Sequence, residues 1–182
     1  MTSGLAHAFF TAREGPPGGA PLPTWEERLD RALGTARAAW PRVELEGTRF
    51  VAHLARHLAA DASPEALEAL HVGDLYLACA CADGLPAAHT AFEAHILPEV
   101  DQAVARMKLS PTALDEVRQR VRQRMLVAGP DTPPKLAAYP GTGPLAAWVR
   151  AAALWLALDL QRQRASHDTP VMIAPTRMLI CP

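Results

Sequence analysis

The 182-residue chain is long enough for one domain with a substantial core, and it carries 18 basic and 19 acidic side chains. Hydrophobic residues make up 49% of it and aromatic residues only 5%, and its many alanines and leucines favour helices over strands. No run of about 18 uncharged apolar residues is present, which excludes a membrane span, and the amino-terminal residues do not form a secretory signal. The sequence therefore predicts an all-α, soluble, cytoplasmic protein with no membrane partner.

The amino-terminal residues are predicted to be flexible. Residues 13–23 are mostly proline and glycine, which disfavour both helices and strands, so we expect a flexible segment over 1–23. Thr24 and Glu27 form a capping box, which predicts that a helix starts there and continues to Trp40.

Further helices are predicted from serine caps followed by proline and from apolar spacing. They cover 44–60, 64–83 with a break near Gly73, 86–108, 111–128 and 145–164. The last of these is apolar on nearly all sides, which predicts a central helix covered by neighbours. Between 129 and 144 the chain has five prolines and three glycines, which predicts a loop with at most one helical turn around Leu136 to Tyr139.

The charge is divided unevenly along the chain. Residues 1–103 hold seven basic and fourteen acidic side chains, whereas residues 104–164 hold ten basic and four acidic ones. A local basic excess is found both on ordinary solvated surfaces and on proteins that bind a polyanion. Charge alone leaves both interpretations open.

No arrangement of residues indicates catalysis. His53 and His57 have the i, i+4 spacing of zinc ligands, but no third ligand accompanies them. Cys79 and Cys81 point in different directions on a helix, so we expect them to be small buried side chains. The sequence also lacks a phosphate-binding loop with lysine and a nucleophile elbow. We therefore predict that the protein is not an enzyme and has neither a metal nor a cofactor.

The helix predicted over 111–128 is amphipathic. Its apolar stripe contains Leu114, Val117, Val121 and Met125, and arginines lie on both flanks of the stripe. The opposite face is polar and contains Asp115, Glu116, Gln119 and Gln123.

Four sequence pieces in order resemble region two of the extracytoplasmic-function sigma factors of RNA polymerase. They are Asp83-Gly84 followed by Ala91-Phe92-Glu93, then Leu114-Asp115-Glu116-Val117-Arg118-Gln119, then Leu145-Ala-Ala-Trp148-Val149, and finally Ala157-Leu158-Asp159-Leu160-Gln161-Arg162. The resemblance covers about residues 72–164 and implies a helical bundle like sigma-factor region two. Residues 24–71 would be an N-terminal helical extension, and residues 165–182 a short C-terminal tail.

The resemblance implies roles for two groups of residues. The polar face formed by Asp115, Glu116, Gln119 and Gln123 would dock on the clamp helices of the largest subunit of core RNA polymerase. The loop over 129–144 and the start of the last helix would capture an unstacked base of the minus-ten promoter element. The DNA-binding residues implied are Lys135, Tyr139, Trp148, Arg150, Arg162 and Arg164. Other interpretations stay open: Trp148 suits a core anchor, Tyr139 could pin the loop, and the last two arginines favour the negative end of the helix dipole.

The sequence departs from the family pattern in two places. Ala151, Leu154 and Trp155 stand where arginines and an asparagine are expected, which removes phosphate neutralisation. Only 18 residues follow Arg164, so the helix-turn-helix domain called region four, which reads the minus-thirty-five element, is expected to be absent.

The expected function is that of a sigma-factor-like transcription protein that binds core RNA polymerase and single-stranded promoter DNA. The alternative is a truncated sigma-like interaction protein, acting as a decoy or adaptor for polymerase or for an anti-sigma factor without initiation activity. A helical adaptor unrelated to transcription is a third possibility.

Overall fold

The computed structural model describes residues 4–13 and 21–167, and all regular structure in these residues is helical. This confirms the predicted all-α fold. Three short 3₁₀ turns accompany the α-helices, at Pro64–Ala69, Ala105–Met107 and Lys135–Ala138. The α-helices are α1 Leu5–Arg13, α2 Leu22–Ala39, α3 Gly47–Ala55, α4 Val72–Ala82, α5 Pro86–His95, α6 Pro98–Val104, α7 Pro111–Leu126 and α8 Leu145–His167. Among the described helices, none is both long and apolar enough to cross a membrane.

Helix α1 corrects part of the flexible segment predicted over 1–23. Its buried Phe9 stacks on Trp25 of α2 with ring centroids 5.0 Å apart, and Phe10 meets the same indole edge-on at 5.4 Å. The Glu26 carboxylate accepts hydrogen bonds from the first backbone amides of α1, at 3.2 Å from Leu5 N and 2.7 Å from Ala6 N. Aromatic burial and this cap hold the helix in place. Residues 1–3 and 14–20 of the predicted segment lie outside the described residues.

Helix α3 is shorter than the helix predicted over 44–60. The chain before it is held extended by Tyr76 of α4, whose hydroxyl donates to Val43 O at 2.8 Å and accepts from Leu45 N at 2.9 Å. These bonds satisfy backbone groups that a longer helix would have used. The phenol thus fixes the connection between α2 and α3 against the core.

The most deeply buried helix is α4, and this corrects the prediction that the last helix is central. Seven consecutive residues of α4, Leu75 to Cys81, are buried, including both described cysteines, which are unbonded. In α8, by contrast, one face packs against α6 and α7 while Leu154, Trp155 and Leu158 are exposed. The sequence of α8 is apolar on nearly all sides, but neighbours cover only one of them.

The single helix predicted over 86–108 is divided into α5, α6 and a 3₁₀ turn. The break falls at Ile96–Leu97, directly before Pro98, because proline has no backbone amide to continue the hydrogen-bond ladder. Lys108 then adopts a left-handed conformation with φ of 48° and ends the segment. Ser110 caps α7 as predicted, its Oγ accepting from Ala113 N at 3.2 Å.

One hydrophobic core extends from α1 to α8 and crosses the predicted boundary between 24–71 and 72–164. The loop over 129–144 contains a helical turn, Lys135–Ala138, and Leu136 and Tyr139 are buried in the core. Asp74 of α4 then accepts a hydrogen bond from Leu145 N at 2.8 Å, which fixes the first turn of α8. The loop therefore holds α7 and α8 side by side, with a groove between them.

Candidate functional site

The polar face of α7 lies on the outside of the molecule. Asp115, Gln119 and Gln123 are exposed along it, and Val117 and Val121 are buried on the opposite side of the helix. The face therefore presents one carboxylate and two amides to a partner, on a helix held rigidly by its buried stripe.

Glu116 differs from its three neighbours because both of its carboxylate oxygens are engaged. Its Oε1 accepts a hydrogen bond from Arg120 Nη2 at 2.7 Å, and its Oε2 accepts from Arg164 Nη2 at 2.8 Å. Glu116 and Arg164 are on separate helices, so the pair joins α7 to α8. A partner could contact Glu116 only in competition with these bonds.

Ion pairs neutralise several arginines of the basic segment. Arg118 binds Asp101 of α6 through Nε at 2.8 Å and also reaches Asp115 at 2.7 Å. The hydrogen bond to Asp101 raises the pKa of Arg118 above its usual range. Two further pairs of 2.7 Å connect α7 and α8 to the preceding helices, Arg122 to Glu93 and Arg150 to Glu99. The basic excess in the sequence is therefore not a continuous positive surface.

Tyr139 is placed in the core, which differs from the exposed position that the resemblance implies. It is 1% exposed, its hydroxyl donates to Gly143 O, and burial raises its pKa, with a further contribution from the negative charge of Asp74. Its ring meets Trp148 edge-on at 5.6 Å. Tyr139 thus pins the loop, as the other interpretation of the sequence proposed, and offers no ring face to a base.

A groove of about 320 Å³ runs between the end of α7 and the middle of α8. Arg124 and Lys135 line it together with two indoles, those of Trp148 and Trp155. The rest of its wall is apolar, and none of its lining residues is acidic; these are Met125, Ala151, Ala152 and Leu156. Trp148 is half-buried, whereas Trp155 is 70% exposed.

Two cations at the groove carry charge that the fold does not neutralise. Within residues 4–13 and 21–167, neither Arg124 nor Lys135 forms an ion pair, in contrast to their neighbours Arg120 and Arg122. Arg162 is likewise exposed and without an acidic partner in the described chain, but it does not line the groove. The positive charge of an unpaired cation is not offset by a neighbouring carboxylate, so it attracts an anionic ligand more strongly.

Of the six residues implied for DNA binding, the structure brings Lys135 and Trp148 together at the groove. Arg150 and Arg164 are ion-paired, Arg162 lies apart and Tyr139 is buried. Arg124 and Trp155 complete the groove but were not predicted as site residues. Arg124 is one of four similar arginines in the sequence, and nothing in the helical pattern distinguishes the one that lacks an acidic neighbour.

The buried His53 and the half-buried His57 lie side by side, with their Nε2 atoms 3.2 Å apart. Burial lowers the pKa of His53 to about 4 and also lowers that of His57. In the described part of the chain, no group of three or more histidine, cysteine or acidic side chains could hold a metal ion. The pair therefore acts as two neutral rings in which one donates a hydrogen bond to the other.

Comparison of the chain with family models, with curated proteins and with solved structures gives no match. The geometry of α7, α8 and the groove between them is therefore the basis for inferring a function.

Proposed function

We propose that this protein is a sigma-factor-like transcription protein that docks on core RNA polymerase and holds single-stranded promoter DNA. The observation that carries the proposal is the groove in which Arg124 and Lys135 lie beside Trp148 and Trp155 with no acidic neighbour in the lining. Proteins that bind single strands combine cations for the phosphates with aromatic rings on which bases stack. The exposed face of α7, with Asp115, Gln119 and Gln123, is the proposed contact with the polymerase clamp helices.

Each part of the groove has a distinct role in this proposal. The exposed Trp155 ring receives an unstacked base, while the two unpaired cations neutralise the phosphates on either side of it. The ring of Trp148 packs edge-on against Tyr139, so Trp148 forms a fixed wall of the groove. The role needs no covalent chemistry, and we place the protein in the cytoplasm, where polymerase acts.

Fluorescence anisotropy with a labelled single-stranded oligonucleotide tests the groove. Trp155→Ala should weaken binding by about tenfold, since stacking contributes about 1 to 3 kcal/mol per base. Lys135→Glu should weaken binding and also reduce its salt dependence, because one phosphate contact is lost. Arg106→Glu changes an exposed cation outside the groove and is the charge-matched control. Equal losses in all three variants, or no binding by the wild type at low salt, would contradict the proposed site.

Retention of the protein by purified core RNA polymerase tests the α7 face. Gln119→Arg places a positive charge at the centre of the exposed face without breaking an ion pair. Gln102→Arg makes the same change at an exposed position of α6 and is the matched control. We expect the polymerase to retain the wild type and the control but not Gln119→Arg. Retention of both variants to the same extent would show that α7 is not the docking surface.

The second candidate is a sigma-like interaction protein that binds polymerase or an anti-sigma factor without initiating transcription. The exposed apolar side chains of Leu154, Trp155 and Leu158 favour it, because they suit a protein partner as well as a nucleotide base. The pairing of Arg150 with Glu99 also reduces the charge available to phosphates near the start of α8. Binding to polymerase with no promoter-dependent transcript in a reconstituted reaction would select this candidate.

A further inference from the structure

More exposed large apolar side chains lie on α8 than on any other described helix. Five large apolar side chains are exposed in the described chain, and three of them lie within five residues of one another, Leu154, Trp155 and Leu158. We call these three residues the α8 strip. Trp155 is the most exposed of the five at 70%, and a cluster of this kind is typical of a surface that another segment covers.

The α8 strip lies outside the face of α8 that packs against α6 and α7. Val149, Ala153 and Ala157 are buried on the side of α8 that packs against α6 and α7. Leu154 and Leu158 are one helical turn apart, and Trp155 lies beside them, so the three form a continuous apolar face. Its length is about 6 Å, which suits a short extended segment better than a second domain.

We propose that Met178, Leu179 and Ile180, which lie outside the described residues, dock on the α8 strip of the same chain. These are three consecutive large apolar residues in a part of the sequence that follows α8 directly. Pro170 and Pro175 precede them, and proline favours the extended backbone that can lie across a helix. Burial of such side chains on an apolar strip contributes free energy in proportion to the area covered.

The connecting chain is long enough for this contact. Trp155 lies twelve residues before His167 in α8, or about 18 Å at the helical rise. Met178 lies eleven residues after His167, which spans up to about 36 Å when extended. The segment can therefore make a turn and return to the strip with several residues to spare.

A segment of the same chain is favoured over a second copy by its concentration. A short tether gives an effective local concentration in the millimolar range. A second copy would have to reach a similar concentration in solution to compete with it. The proposed contact is therefore intramolecular and independent of protein concentration.

The full-length chain offers a direct test through its third cysteine, Cys181, which follows the proposed docking segment. Cys79 and Cys81 are buried, and burial raises the pKa of each thiol to about 12, so one bimane label per chain should attach at Cys181. Bimane emission is quenched when an indole lies next to the dye. We expect quenching in the wild type and its loss in Trp155→Phe, which keeps an aromatic ring on the strip.

A second pair of variants tests the docking segment without changing α8. Leu179→Asp should restore bimane emission, because burying a carboxylate on an apolar strip is unfavourable. The matched control Ala174→Asp should leave the emission quenched. Equal emission from the wild type and Trp155→Phe would overturn the proposal, and so would quenching that disappears on dilution. Since the bimane signal needs no nucleic acid, docking can succeed or fail independently of the proposed function.

Discussion

Glu116 of α7 accepts a hydrogen bond from Arg164 of α8, with Oε2 and Nη2 2.8 Å apart. Glu116, for which the family resemblance implies a role in polymerase docking, therefore also connects the two helices that form the groove. A charge reversal at position 116 would change the docking face and the helix contact at once. Gln119, which is exposed on the same face, separates the two effects.

The first prediction concerns the free energy of the ion pair between Glu116 and Arg164. Glu116 and Arg164 are 37% and 46% exposed, so water screens their interaction strongly. A double-mutant cycle with Glu116→Gln and Arg164→Gln, measured by urea unfolding, should give a coupling of about 0.5 kcal/mol. The coupling should shrink in high salt. A coupling several times larger would show that the pair contributes to the fold and not only to the alignment of α7 with α8.

The second prediction concerns acid stability. His53 is 4% exposed, and burial lowers its pKa in the folded protein to about 4, whereas an unfolded histidine titrates near its ordinary value of about 6.5. Between these two values the unfolded state binds the extra proton, so stability is complete above about pH 6.5 and falls as the pH is lowered towards 4. The linkage amounts to about 3 kcal/mol. Chemical denaturation at several pH values measures it.

The variant His53→Leu serves as the test of this assignment, because it keeps a side chain of similar size and removes the titrating group. The fall in stability between pH 6.5 and 4 should become much smaller in this variant. His7→Gln, at an exposed position of α1, is the matched control. An unchanged acid profile in His53→Leu would assign the effect to other groups.

The start of α7 could be predicted because its serine cap and proline are local signals, whereas the same pair at Ser63 and Pro64 opens only a 3₁₀ turn without a side-chain cap. Ser110 caps α7 in the structure as its sequence indicates, and Pro98 explains a break that apolar spacing alone does not reveal. Helix α1 could not be predicted in this way. Its stability comes from Phe9 against Trp25 and from the Glu26 cap, which are contacts between separate parts of the chain.

The site was predictable only in part for a related reason. The polar face of α7 follows from helical spacing within one segment. Which arginine lacks an acidic partner, however, depends on residues of other helices. Glu93 pairs with Arg122, and Asp101 pairs with Arg118. The exposure of Trp155 depends on which side of α8 its neighbours cover. Such choices are made by tertiary packing, which a single helix pattern does not contain.

The third prediction concerns the attachment of α1. Phe9 is fully buried between Phe10 and Trp25, so Phe9→Ala should lower the free energy of unfolding by about 3 to 5 kcal/mol. Thr11→Ala, at an exposed position of the same helix, should change it by less than about 0.5 kcal/mol. Urea unfolding gives both values. Faster trypsin cleavage after Arg13 in Phe9→Ala alone would confirm that α1 is released locally, and similar stability of the two variants would contradict its role in the core.

The fourth prediction separates backbone strain from steric overlap at two glycines, one between α4 and α5 and one in the loop before α8. Gly84 and Gly141 both have positive φ values, 76° and 72°, but a Cβ at Gly84 would meet open space, whereas one at Gly141 would overlap the buried side chain of Leu75. Gly84→Ala should therefore cost about 1 to 2 kcal/mol from the left-handed backbone alone. Gly141→Ala should cost about 2 kcal/mol more, because Leu75 must move within a packed core. Equal costs in urea unfolding would show that Leu75 moves aside easily and that steric overlap at Gly141 adds little.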